Sequence, residues 1–136
     1  MLDNTISIDV NHDNDDGTTG LQTIEFSRFE EFQNRSVYIA SNHTLASRNL
    51  LTFFRTQPKQ SGNFRGVAKS AVKLTEDFLV DGVDATTANV SPGIIEIGFS
   101  FPVGMTDAQI LDLRMRAAAL LLMDDFLTPL TTQLMV

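Results

Sequence analysis

Between Phe32 and Thr75 the chain carries Arg35, Arg48, Arg55, Lys59, Arg65, Lys69 and Lys73, and neither Asp nor Glu. Seven of the ten basic residues fall in this stretch, although the formal net charge of the chain is -7. Such a run of cations can neutralise phosphates, the electrostatic footprint of a nucleic-acid surface. It can equally be a solvated face balanced by the acids at positions 3–31 and from 76 onward. Charge asymmetry alone leaves both readings open.

Two other groups of residues invite a chemical reading. His12-Asp-Asn-Asp-Asp-Gly17 resembles a calcium loop, but placing Gly17 sixth makes His12 first and Thr23 twelfth. Such a loop needs Asp first and a bidentate Glu last, so an acidic hairpin tip is the better reading. His43 is the other histidine; with Ser41 and Ser47 nearby it makes a weak catalytic candidate, since an acid or nucleophile would have to be brought to it by the fold. There is no cysteine, hence no disulfide, thiolate nucleophile or sulfur-ligated zinc. Neither a P-loop nor a dinucleotide motif is present. The expectation is a non-enzyme with no cofactor, no bound metal and no small-molecule substrate.

The elements that must position the cations read mostly as strands. At 136 residues the chain is expected to be one domain, 1–136, with an N-terminal hairpin over 1–31, a main sheet over 32–101 and helices over 105–136. Thr5 to Val10 alternates with period two, a half-buried strand. A polar loop, 11–20, leads to a pairing strand from Leu21 to Phe26. Further strands are expected at Arg35–Ala40, Arg48–Thr56, Phe64–Leu74 and Ile94–Phe101. Pro58-Lys-Gln-Ser-Gly62 supplies turn chemistry between two of them, and 76–93 reads as a long loop.

Side-chain alternation assigns the faces. On Phe64–Leu74 one face carries Arg65, Val67, Lys69, Ala71 and Lys73; the other carries Gly66, Ala68, Ser70, Val72 and Leu74. On the last strand Ile95, Ile97, Phe99 and Phe101 form a large apolar face, with Glu96, Gly98 and Ser100 opposite. One sheet face should therefore be covered by helices and the other left polar, basic and open, which an antiparallel sheet permits.

The C-terminal helix is expected from Thr106-Asp-Ala-Gln109, a capping box, to about Met123. It is apolar on more than one face, and from Ala117 to Met123 it has no polar side. A helix of that kind must be covered all round, and a chain this short has little mass to spare, so a second subunit is the natural cover. Thr128-Pro129 reads as a cap and first position of a second helix. Charged residues limit the uncharged run to far below the roughly 20 residues of a membrane span, so no membrane association is expected. The N-terminal residues lack the basic and apolar regions of a signal peptide, which suggests synthesis and use in a cytoplasm.

Gly93-Ile-Ile-Glu-Ile-Gly-Phe-Ser-Phe101, the Thr-Asp helix start, Leu113-Arg-Met-Arg-Ala-Ala-Ala-Leu-Leu-Leu122 and a proline-containing second helix resemble the C-terminal part of single-stranded RNA bacteriophage (levivirus-type) coat proteins. Arg48 to Leu74, with Gln57-Pro58 and Phe64, is similar to the family's two long central strands. The resemblance implies an α+β fold: an N-terminal hairpin, an antiparallel sheet of about five strands and two C-terminal helices that interlock in a two-fold homodimer. It implies assembly of many copies into a small icosahedral shell, synthesis in a bacterial host, and viral genomic RNA as partner on the inner sheet face. By position, Arg48, Thr52, Arg65, Lys69, Lys73 and Glu96 would meet the RNA. Ile110, Leu113, Ala117, Leu120, Leu121 and Phe126 would form the dimer interface, and Asp81, Gly82, Val83 and Asp84 a loop between dimers that adopts more than one conformation. Alignment through Gln57-Pro58 turns Arg48, Leu50, Thr52 and Phe54 inward; alignment through Arg55 turns Asn49, Leu51, Phe53 and Arg55 inward, and a one-residue slip exchanges the sets. Phe53 or Phe54 could stack a base or pack within the sheet. The coat protein could also repress translation through an RNA hairpin; the alternatives are a dimeric RNA-binding protein that stops at the dimer and acts as a translational repressor, a structural dimer without RNA, and a small enzyme using His43.

Overall fold

The computed structural model describes residues 2–11 and 20–134. The acidic tip expected between His12 and Gly17 lies outside the described residues. Six strands form one sheet in sequence order: β1 (Thr5–Asn11), β2 (Leu21–Phe32), β3 (Arg35–Ala40), β4 (Asn49–Thr56), β5 (Val67–Asp81) and β6 (Ala88–Pro102). Two helices follow, α1 (Asp107–Leu121) and α2 (Asp124–Gln133). The chain divides into two compact units: a sheet unit, Met1–Gln57 with Ala68–Ser100, and a smaller unit, Pro58–Val67 with Phe101–Val136.

The core of the sheet unit lies on one face. Phe26 stands opposite Ala40, and Tyr38 opposite Leu51. These four are buried, Tyr38 completely, and Ile6, Ile8, Ile24, Phe53 and Val72 pack against them. The Phe53 ring meets Tyr38 edge-on at 5.7 Å. Burying a tyrosine requires a partner for its hydroxyl; here it donates to the Asp3 carbonyl at 2.7 Å. Arg28 donates to the same hydroxyl and to the Leu2 and Asp3 carbonyls, and pairs with Glu31 at 3.0 Å. The N-terminal segment is thus fastened over the core by two side chains. Leu51→Ala should lower stability by about 2–5 kcal/mol, read as a shifted denaturant midpoint with unchanged slope at fixed protein concentration.

A β-bulge between Arg28 and Glu30 matters for the other face. Beyond it Glu30 stands opposite Val37 and Phe32 opposite Arg35. The extra residue, Phe29, reverses the alternation, so Glu30 and Phe32 face away from the core.

Several boundaries differ from the sequence expectations. β2 continues past Phe26 to Phe32, because pairing with β3 satisfies its backbone. The expected hairpin is part of the main sheet, giving six strands in place of about five. β5 starts at Val67: Gly66 adopts φ +92, and a Cβ there would lie 2.4 Å from the Lys59 carbonyl oxygen. Phe64 and Arg65 therefore precede the strand, Phe64 pairing in an isolated bridge with Ser61. Most of the expected 76–93 loop is strand, leaving only residues 82–87 between β5 and β6.

In the smaller unit, α1 begins as its capping box requires. Thr106 Oγ1 accepts from the Gln109 amide at 3.3 Å, and Gln109 Oε1 accepts from the Thr106 amide at 3.0 Å. The second helix starts earlier than Thr128-Pro129 suggests. Asp124 and Asp125 occupy its first turn, where carboxylates suit the helix dipole. Pro129 sits inside the helix; lacking an N–H, it forgoes one bond there.

Candidate nucleic-acid interface

The face opposite the core is built from cross-strand rows. One row runs Glu30, Val37, Thr52, Lys73; the next runs Phe32, Arg35, Phe54, Ala71. On one side lies Ile39, Leu50, Thr75, and on the other Thr56 stands opposite Lys69. The register resolves the ambiguity in β4: Leu50, Thr52 and Phe54 share a face with Lys69 and Lys73, while Leu51 and Phe53 face the core. Hydrophobic burial fixes this choice, because a slip would turn Leu51 outward.

Residues of this face, with Pro92 and Ile94 from β6 and His43 from the β3–β4 loop, line a concavity of about 670 Å³. Thr52 and Thr75 are buried in its floor, and Lys73 is half-buried. Lys69 is exposed. Glu96 continues the alternation of Pro92 and Ile94 and is exposed on the same side of β6. Arg65 lies before β5, so strand alternation does not assign it a face.

Arg48 stands on this side, but its charge is engaged. Its Nε and Nη2 donate to Asp77 at 3.0 and 3.1 Å, and its backbone N–H donates to the same carboxylate at 2.9 Å. The Asp77 side chain is only 6 % exposed. Hydrogen bonding from the Arg48 side chain, then its backbone N–H, holds the Asp77 carboxyl below its ordinary value of 3.8. A depressed carboxylate stabilises the fold fully above its unfolded pKa and loses that contribution as pH falls through the folded one. Asp77→Asn should therefore be less stable than wild type at neutral pH. The gap should close between about pH 5 and pH 2, measured by denaturation at each pH. Asp77 was hidden in the sequence because it fell within an expected loop.

His43 is half-buried, and its Nδ1 accepts from the Asn49 backbone N–H at 3.1 Å. That bond secures the start of β4 and fixes the Nε2–H tautomer. Among the described residues no three metal-ligating side chains gather.

The other two predicted groups fall as follows. On α1, Ile110, Leu113, Ala117, Leu120 and Leu121 recur at helical spacing, and the helix contains no buried residue. Leu111, Met115 and Leu122 are also exposed. The side chain of Phe126 lies outside the described residues. Asp81 ends β5, and Gly82, Val83 and Asp84 enter the turn. The turn is tied within itself. Asp84 accepts from the amides of Thr86 and Thr87 and the Thr87 hydroxyl, and the Gly82 amide donates to the Thr87 carbonyl. Those backbone donors, Thr87 first, hold the Asp84 carboxyl below its ordinary range. Ala85 adopts φ 54, an uncommon conformation for a residue with a side chain.

No family model matches the chain, and no curated relative does. Solved structures do. The chain is similar to the virus-like particle of Beihai levi-like virus 32 at 20% identity and TM-score 0.72, over 83% of this chain and 88% of that one. It is similar to that of Wenzhou levi-like virus 4 at 18% and 0.69, over 93% and 84%. The virus-like particle of bacteriophage AVE019 matches at 17% and 0.68, over 93% of each. At such identities the likeness establishes the fold.

Proposed function

We infer that this chain, which has the fold of single-stranded RNA bacteriophage coat proteins, is itself a coat protein that dimerises and builds the shell of a virion around genomic RNA. The observation that carries this reading is the likeness to subunits of virus-like particles along nearly the whole length of both chains. Two features of the chain support it. The apolar α1 has no buried residue in the protomer, and β6 is a 15-residue edge strand with Ile94 and Ile95 exposed. Long apolar edges and uncovered apolar helices are liabilities unless a partner covers them.

In this reading two copies pair through Ile110, Leu113, Ala117, Leu120 and Leu121, and Asp81 to Asp84 meet neighbouring dimers. Lys69, Lys73 and Thr52 face the RNA, with Glu96 at the edge of that surface. Arg48 contributes by shaping the face through Asp77, since its donors are occupied. The protein would be made in the cytoplasm of a bacterial host and carries out no catalysis.

Negative-stain electron microscopy of the protein expressed alone in bacteria tests the proposal, combined with the 260/280 nm absorbance ratio of the same fraction. With no tryptophan and one tyrosine, protein absorbance is low and packaged RNA stands out. Uniform closed particles rich in nucleic acid are expected. A small dimer that carries RNA without closing would replace the shell with a non-assembling RNA-binding protein; a dimer without RNA would overturn both.

A further inference from the structure

Four arginines belong to the sheet unit, and three of them are engaged by protein oxygens. Arg28 bonds Tyr38, Glu31 and the N-terminal carbonyls; Arg48 bonds Asp77; Arg55 donates twice to the Gln33 carbonyl, at 2.7 and 3.0 Å. Arg35 differs. Among the described residues it makes no ion pair, and its guanidinium lies over the Phe32 ring, 4.6 Å from the centroid. Phe32 is 47% exposed. Register places Phe54 directly across from Arg35 on the other side. Opposed positions of adjacent strands stand about 4.5–5.5 Å apart, so Phe32, Arg35 and Phe54 hold consecutive places in one row of the open face, with Phe54 half-buried.

We propose that Phe32, Arg35 and Phe54 form a stacking platform for unpaired RNA nucleotides. This rests on the assignment of this face to RNA and adds the form of RNA that it takes. A guanidinium stacked on a ring keeps its donors in its own plane, directed outward to a phosphate or a base edge. Exposed aromatic and guanidinium faces accept any base, because every base has a π-face. A base within a duplex has both faces covered by its neighbours and cannot use them. The flanking rows set the direction of the strand. Glu30, at the β2 end of the adjacent row, repels phosphate; Lys73, at the β5 end of that row, and Lys69, one row beyond Phe54, attract it. The backbone of the bound nucleotides therefore runs from the platform toward the two lysines of β5.

The test uses the full chain freed of co-purified RNA, with fluorescence anisotropy of a short unstructured single-stranded RNA and of a blunt RNA duplex of equal length. Phe32→Leu should lower affinity for the single strand about tenfold and leave the duplex unchanged. Arg35→Lys, which keeps the charge and loses the stacked plane, should do the same. Wild-type affinity for the single strand in both variants, or equal losses on single strand and duplex, would overturn the platform. If Phe32→Leu fails to fold by circular dichroism, Arg35→Lys decides alone. Particle formation is scored on the same preparations. Particles with unaltered single-strand affinity remove the platform and leave the coat reading; absent particles remove the coat reading, while the single-strand/duplex comparison still decides the platform.

Discussion

Leu113→Asp combined with Leu120→Asp is expected to abolish both the dimer and the particle. Full burial of a leucine is worth about 1.5–3 kcal/mol. Both residues already hide about half of their surface in the protomer, so with each substitution acting twice in a two-fold interface the pair removes about 3–6 kcal/mol before any cost of burying charge is counted. A nanomolar dimer is held by about 12 kcal/mol, so a loss of this size, with the cost of burying carboxylates added, leaves monomers at micromolar concentration. Both residues are exposed in the protomer, 43% and 50%, so the helical signal of the monomer should survive. Light scattering after size exclusion reads the mass, and circular dichroism the helix. Particles of normal size from this variant would remove α1 from the interface.

Lys69→Glu with Lys73→Glu should empty the particle of RNA or prevent it from closing around any. Two ion pairs at the surface of the face, each worth up to about 1 kcal/mol and replaced by repulsion, amount to about tenfold or more in affinity. The slope of log affinity against log salt should flatten by about 1.4 per subunit if both contact single-stranded phosphates. The 260/280 nm ratio of purified particles gives the first quantity, and a salt titration the second. Particles with unchanged RNA content would show that this face does not hold it. The chain as a whole is acidic, so under the proposed function the local lysines and the many copies in a shell would carry the binding.

Most elements were legible because each has a local cause. The capping box at Thr106 and Gln109 depends on residues three apart and appears as expected. β3 spans Arg35–Ala40 as its β-branched and aromatic pattern suggests. The length of β5 was not legible. Glu76 to Asp81 mixes acids with apolar residues and looks like a loop in isolation, yet pairing within the sheet makes it strand. Gly93 shows the same limit. It is turn-like in sequence, yet it lies in β6, where the Phe78 ring would be 2.8 Å from an added Cβ. The start of α2 was misplaced because Pro129 is a strong signal for a helix start, and the acidic pair ahead of it is a weaker one.

The sequence by itself determined the chemistry available: an acid-free basic middle, no thiol, an α1 too apolar to stay uncovered, and strands of period two whose apolar face was readable except in β4, which carries apolar residues on both. Period-two and helical patterns are local, so they survive without coordinates. Tertiary structure alone decided which cations are available and what lies beside them. Asp77 reaches Arg48 across 29 positions and engages it. The bulge at Phe29 inverts β2 and turns Phe32 toward Arg35. Both depend on pairing between strands, and register is a property of two segments together. A single inserted residue reverses every side chain beyond it.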